Sequence, residues 1–158
     1  MSDSWESFIE VLAQECAAFG AVNERALEMS IALVQNVPER IQASQKSLEE
    51  ARKGLVVARS RRRAMQHRGF GNMSLKKVSR YAPPPIASQI IAATRQLRYY
   101  TIKLDLVNSN NRALILGAME RLMAVVAVMR RVQMQPLTYK RRGMVAPPDH
   151  SMIVSHKV

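Results

Sequence analysis

Cysteine is almost missing from this 158-residue chain: Cys16 stands alone. A single thiol can close no intrachain disulfide and build no multi-thiolate zinc site, which points to a reducing compartment. Aromatic residues make up only 5% and glycine and proline are sparse, a balance that disfavours sandwiches and barrels and favours an all-α chain. The opening residues, MSDSWESFIEVLAQECAAFG, are acidic where a secretory signal would be basic. The longest apolar run, 113–129, falls short of the ~20 residues of a membrane span and is broken by Glu120 and Arg121. These absences predict a cytoplasmic protein without membrane insertion.

Catalytic constellations are lacking as well. His67, His150 and His156 have no carboxylate spaced to orient them. The glycines of RGFGNM, 68–73, lack the strand-to-helix setting of a phosphate loop. Cys16 falls on an apolar helix face, where a thiol packs as a small hydrophobe. The expectation is therefore no enzyme, no cofactor, no metal and no small-molecule substrate.

What is present is basic charge, unevenly spread. Residues 1–50 hold nine acids and three bases, whereas residues 51–82 hold ten bases and no acid. Arg61, Arg62, Arg63, Lys76, Lys77 and Arg80 are the candidate anion-binding residues within this 59–80 segment. The segment HRGFGNMSLKKVSRYAPPP, 67–85, carries two glycines and three consecutive prolines and reads as a flexible basic loop.

Helical periodicity organises the rest. Trp5, Leu12, Phe19, Ala26 and Leu33 recur every seven residues, with Phe8, Val22 and Met29 as a companion stripe that Glu15 interrupts. This predicts a helix over about 4–34. Asn36, Pro38 and Glu39 read as a stop and restart, with Asn36 as the N-cap of a weak capping box. A second helix, about 38–65, carries a thinner stripe of Ile41, Leu48, Ala51, Leu55 and Ala58. The short break makes the two an antiparallel hairpin.

After the prolines a long helix is expected over 86–133. Ile90, Leu97, Leu104, Asn111, Ala118, Val125 and Val132 form its seam, with Tyr100, Val107, Leu114 and Val128 beside them. Asn111, polar on the seam, fixes register. From Ala113 onward the opposite face turns apolar too, through Leu116, Met119, Met123, Val126 and Met134. The hairpin can cover one stripe; the second needs a partner helix, a second copy as in a homodimer, or another part of the chain. Methionine repacks against varied apolar partners, so the candidate cargo-binding residues are Leu116, Met119, Met123, Val126, Arg130, Met134 and Leu137, used by helix-in-groove recognition. Residues 136–158 show no periodicity and read as a disordered tail with apolar anchors. The expected domain is thus a single helical one, 1–135: an antiparallel N-terminal hairpin packed on one long C-terminal helix.

The run NSNNRALILGAMERLMAVVAVMRR followed by PLTYKRRG resembles the C-terminal half of the FlgN-type flagellar export chaperones. Asn108, Asn111 and Leu114 fit that family's Asn-x-x-Asn-x-x-Leu pattern, and Tyr139 and Gly143 fit its short loop, although Lys140, Arg141 and Arg142 widen it. The resemblance implies a cytosolic chaperone of flagellar type III secretion. Such a chaperone binds the C-terminal amphipathic helix of hook–filament junction proteins, prevents their premature assembly and delivers them to the cytosolic domain of the export gate. It makes Tyr139 and Gly143 the gate-docking residues. The strongly basic composition departs from the family's usual balance. Two other readings remain open on the residues: nucleic-acid or anionic-surface binding through 59–80, and a self-assembling structural bundle.

Overall fold

The computed structural model describes residues 2–133 as four helices: α1 (Ser2–Gln35), α2 (Pro38–Phe70), α3 (Leu75–Tyr81) and α4 (Pro84–Gln133). The class is all-α with long helices packed together, as the periodicities require. The chain divides into two compact units at Ile115/Leu116, and α4 contributes to both.

In the first unit the apolar stripe of α1 forms the centre. Phe8, Leu12, Phe19, Val22 and Ala26 are all buried. Asn36 ends α1 in a left-handed conformation, φ 54°, with its N–H donating to the carbonyls of Ala32 and Leu33 at 3.0 and 3.3 Å. It is therefore the terminator of α1 and not the N-cap of α2. That position belongs to Val37, which is extended and makes no side-chain cap, while Pro38 starts the helix with the fixed φ that suits a first turn.

α2 returns antiparallel, burying Leu48 and Leu55. α4 runs parallel to α1. The cross-helix contacts advance in step, from Cys16 with the Ala93 carbonyl, through Asn23 with the Tyr100 carbonyl, to Ser30 with Asn111. One apolar cluster joins Phe19, Val22, Ala26, Leu48, Leu55 and Val107. The other joins Phe8, Leu12, Val78 and Ile90.

The flexible loop expected over 67–85 is corrected by the structure. α2 continues to Phe70 because that ring stacks on Trp5 at 4.7 Å and meets Phe8 edge-on at 5.3 Å. Gly71, at φ +60°, then turns the chain with its N–H on the His67 carbonyl, a conformation glycine adopts without steric cost. Ser74 caps α3 by accepting from the Lys77 N–H, and Val78 plugs that short helix into the Phe8–Ile90 cluster with no surface left exposed. A burial pattern of one phenylalanine, one valine and one leucine among bases is too sparse to register as a period, yet it suffices to fold the segment.

Candidate partner-binding surface

Where α1 meets α4, polar side chains set the register. Asn111 donates from Nδ2 to the Ala26 carbonyl at 3.1 Å and accepts at Oδ1 from the Ser30 hydroxyl at 2.6 Å. An unpaired buried amide would cost free energy in any other register, so this pair locks one alignment of the helices. Asn23, also buried, donates from Nδ2 to the Phe19 and Tyr100 carbonyls at 3.0 and 3.2 Å. Of the other motif positions, Asn108 and Leu114 are half-buried.

Glu15, the interruption in the α1 stripe, is 2% exposed and carries two arginines. Arg62 Nε donates to its Oε2 at 2.6 Å and Arg59 Nε to its Oε1 at 3.2 Å. Arg62 also donates to Gln66, whose amide reaches the Met73 carbonyl at the α2–α3 turn. The Arg59 guanidinium lies over the Phe19 ring, 5.4 Å from its centroid. Burying a carboxylate is costly unless it is paired and hydrogen-bonded, and here it is both. Arg62 is thereby withdrawn from the predicted anion-binding set. Arg61, Arg63, Lys76, Lys77 and Arg80 remain exposed, with no ion pair among the described residues. The pairing had a partial signal: equal counts from the turn at Asn36 set Glu15 level with Val57, near Arg59 and about a turn and a half short of Arg62.

Cys16 sits beside this network, buried, with Sγ donating to the Ala93 carbonyl at 3.7 Å. Burial, seconded by the adjacent Glu15 carboxylate, pushes its thiol up to about 11 from the ordinary 9.0. Such a thiol is a packing residue and a poor nucleophile. No group of His, Cys, Asp or Glu among the described residues could hold a metal.

The second unit is described here as the α4 residues 116–133, and it looks unlike any of this. Leu116, Met119, Leu122, Met123, Val125, Val126, Val128, Met129 and Val132 are all exposed, by 39–68%. Four charged residues, Glu120, Arg121, Arg130 and Arg131, are the only interruptions in 116–132. On a helix with 3.6 residues per turn the large apolar side chains span an arc of about 240°. The stripe predicted to carry cargo is thus on the surface at Leu116, Met119, Met123, Val126 and Arg130. Met134, Leu137, Tyr139 and Gly143 lie outside the described residues.

The seam stripe departs from expectation. Ala118 is half-buried, but Val125 and Val132 are exposed, as is Leu122 beside them. An apolar period states that a face avoids water, without stating what covers it. Sequence reasoning also passed over a second stripe on α1, where Leu27, Ile31 and Val34 are exposed outside the buried seam. Their 4-then-3 spacing was the available signal. No described helix is long and apolar enough to cross a membrane.

In comparisons with known proteins the chain matches no family model, no curated protein and no solved structure.

Proposed function

We propose that this chain is a helix-binding chaperone, whose surface at Leu116, Met119, Met123 and Val126 takes up an amphipathic helix of a client protein. The observation that carries this reading is the run of nine large apolar side chains exposed on one helix. Monomeric soluble proteins scatter such residues singly, and a contiguous patch marks an interaction site. Methionine at two of the four stripe positions suits a client whose side chains must be accommodated and later let go. Arg130, on the same face, would meet an acidic residue of the client. Such recognition requires no nucleotide and no metal.

The resemblance of residues 104–143 to the FlgN-type chaperones specifies the client class: the C-terminal helix of hook–filament junction proteins, which must stay covered until export. On that reading the protein works in the cytoplasm, and Tyr139 and Gly143 dock the loaded complex on the export gate. The test is calorimetric titration with a synthetic C-terminal helix of a junction protein from the same organism. Binding is expected to persist at high salt, since apolar contact is not screened, and to weaken at least about 100-fold in Met119→Glu/Met123→Glu, a loss of ~2.7 kcal/mol. Equal binding by that double variant would overturn the assignment. Tyr139→Ala should leave client binding intact while blocking secretion in cells.

A second reading rests on Arg61, Arg63, Lys76, Lys77 and Arg80, exposed together along the end of α2 and on α3. These residues suit a polyanion. Contact with phosphates would weaken steeply as salt rises, and charge reversal there would leave the client titration unchanged.

A further inference from the structure

The exposed segment carries more apolar surface than one partner helix can take. A helix seated against a single neighbour buries a stripe of roughly 100°, less than half of the arc that residues 116–132 present. The arc separates into two stripes of different character. One is Leu116, Met119, Met123 and Val126. The other is Ala118, Leu122, Val125, Met129 and Val132, spaced 4-3-4-3 as in a two-stranded helical seam. A client on the first leaves the second in water.

We infer that the second stripe is the contact between two copies of this chain, paired antiparallel. The stripe is self-complementary in that direction. Laid against a reversed copy, Ala118 falls opposite Met129, and Leu122 opposite Val125, so each layer sets a smaller side chain against a larger one. The two-fold axis then passes between Leu122 and Val125, and every contact is made twice. Charge selects the same direction. Arg130 and Arg131 close the segment and Lys140, Arg141 and Arg142 follow in sequence; a parallel pair would gather all of these at one end, whereas reversal separates them. Antiparallel pairing also sets each helix dipole against its opposite. Arg121 flanks the stripe and meets Val128 of the other copy, so no like charges are brought face to face. The pairing uses a different stripe from the client and stands or falls apart from it: the dimer would present two client stripes.

The experiment is sedimentation equilibrium of the full chain at micromolar concentration. The expected mass is twice 17.8 kDa; a mass of one chain overturns the inference. Val125→Glu should return the mass to one chain with helical circular dichroism retained, while Met119→Glu/Met123→Glu should keep the doubled mass and lose the client. A Val125→Glu chain that still pairs would place the contact elsewhere and overturn it. If wild type is single and Val125→Glu loses the client peptide, the stripe belongs to the client instead. Direction is read by oxidation: an Ala118→Cys chain mixed with a Met129→Cys chain should cross-link to each other and not to themselves, and self-linked Ala118→Cys would overturn the antiparallel arrangement. Cys16 is buried and its thiol stays protonated, so it does not compete.

Discussion

The two parts of α4 share a heptad-like period and almost nothing else. From Ile90 to Asn111 the seam is covered: Ile90, Val107 and Asn111 are buried and Leu97 and Leu104 half-buried against α1 and α2. From Leu122 to Val132 residues at the same spacing are exposed. Polar chemistry follows the same division. The covered part carries the Asn111–Ser30–Ala26 lock and faces a helix that holds a paired Glu15; the exposed part has no neutral polar side chain between Leu116 and Val132. The covered part is specified against one particular partner, with buried hydrogen bonds that penalise any other alignment. The exposed part has contact surface without such a lock, which suits an exchangeable partner.

The comparison breaks most sharply in the hairpin core. Phe8→Ala should cost ~3–5 kcal/mol of unfolding free energy, because the ring is fully buried and touches both Trp5 and Phe70; urea denaturation measures it. Arg62→Ala should cost ~2–3 kcal/mol, less than breaking a lone buried ion pair, since Arg59 still reaches Glu15. Asn111→Ala should cost ~1–2 kcal/mol by removing its bonds to the Ser30 hydroxyl and the Ala26 carbonyl, with Ser30 still able to donate to the Ala26 carbonyl. The same substitution strategy in the exposed part, Met123→Ala, should change the stability of the chain by no more than ~0.5 kcal/mol while weakening the client. A stability loss comparable to that of Phe8→Ala would mean that Met123 packs within the chain.

Alkali offers a gentler test of the covered part. The Cys16 thiol is raised in the folded chain relative to its ordinary 9.0. Above pH 9 the unfolded chain releases that proton and the folded chain retains it, so stability falls as pH climbs from 9 towards about 11. Cys16→Ala should flatten that decline, and iodoacetamide should label native protein at pH 8 far more slowly than urea-unfolded protein. Equal labelling rates would contradict the burial.

Much of the covered part could be read from the sequence. The α1 stripe of Phe8, Leu12, Phe19, Val22 and Ala26, the return of α2 through Leu48 and Leu55, and the seam of α4 as far as Asn111 follow from spacing alone, because a period repeated over four or more turns outweighs local exceptions. Elements without a period were missed. α3 rests on Val78 and a capping serine, and the last turn of α2 rests on Phe70 meeting Trp5; both are decided by rings and cavities contributed from α1. Glu15 looked like a flaw in a stripe, since the partner that makes it acceptable lies 44 residues or more away in sequence. The stripe at Leu116, Met119, Met123 and Val126 was legible as apolar and in need of a partner; that Val125 and Val132 of the seam are exposed as well was not.

By itself, then, the sequence determined which faces avoid water and where α1 gives way to α2, because those depend on 3.6-residue spacing, proline and the side chains nearest the turn. Only the tertiary structure decided which of those faces find cover within the chain. That outcome depends on distance between residues far apart in sequence: Phe70 has Trp5 within reach, Glu15 has Arg59 and Arg62, Asn111 has Ser30, and Val125, with the same apolar character, is left facing water.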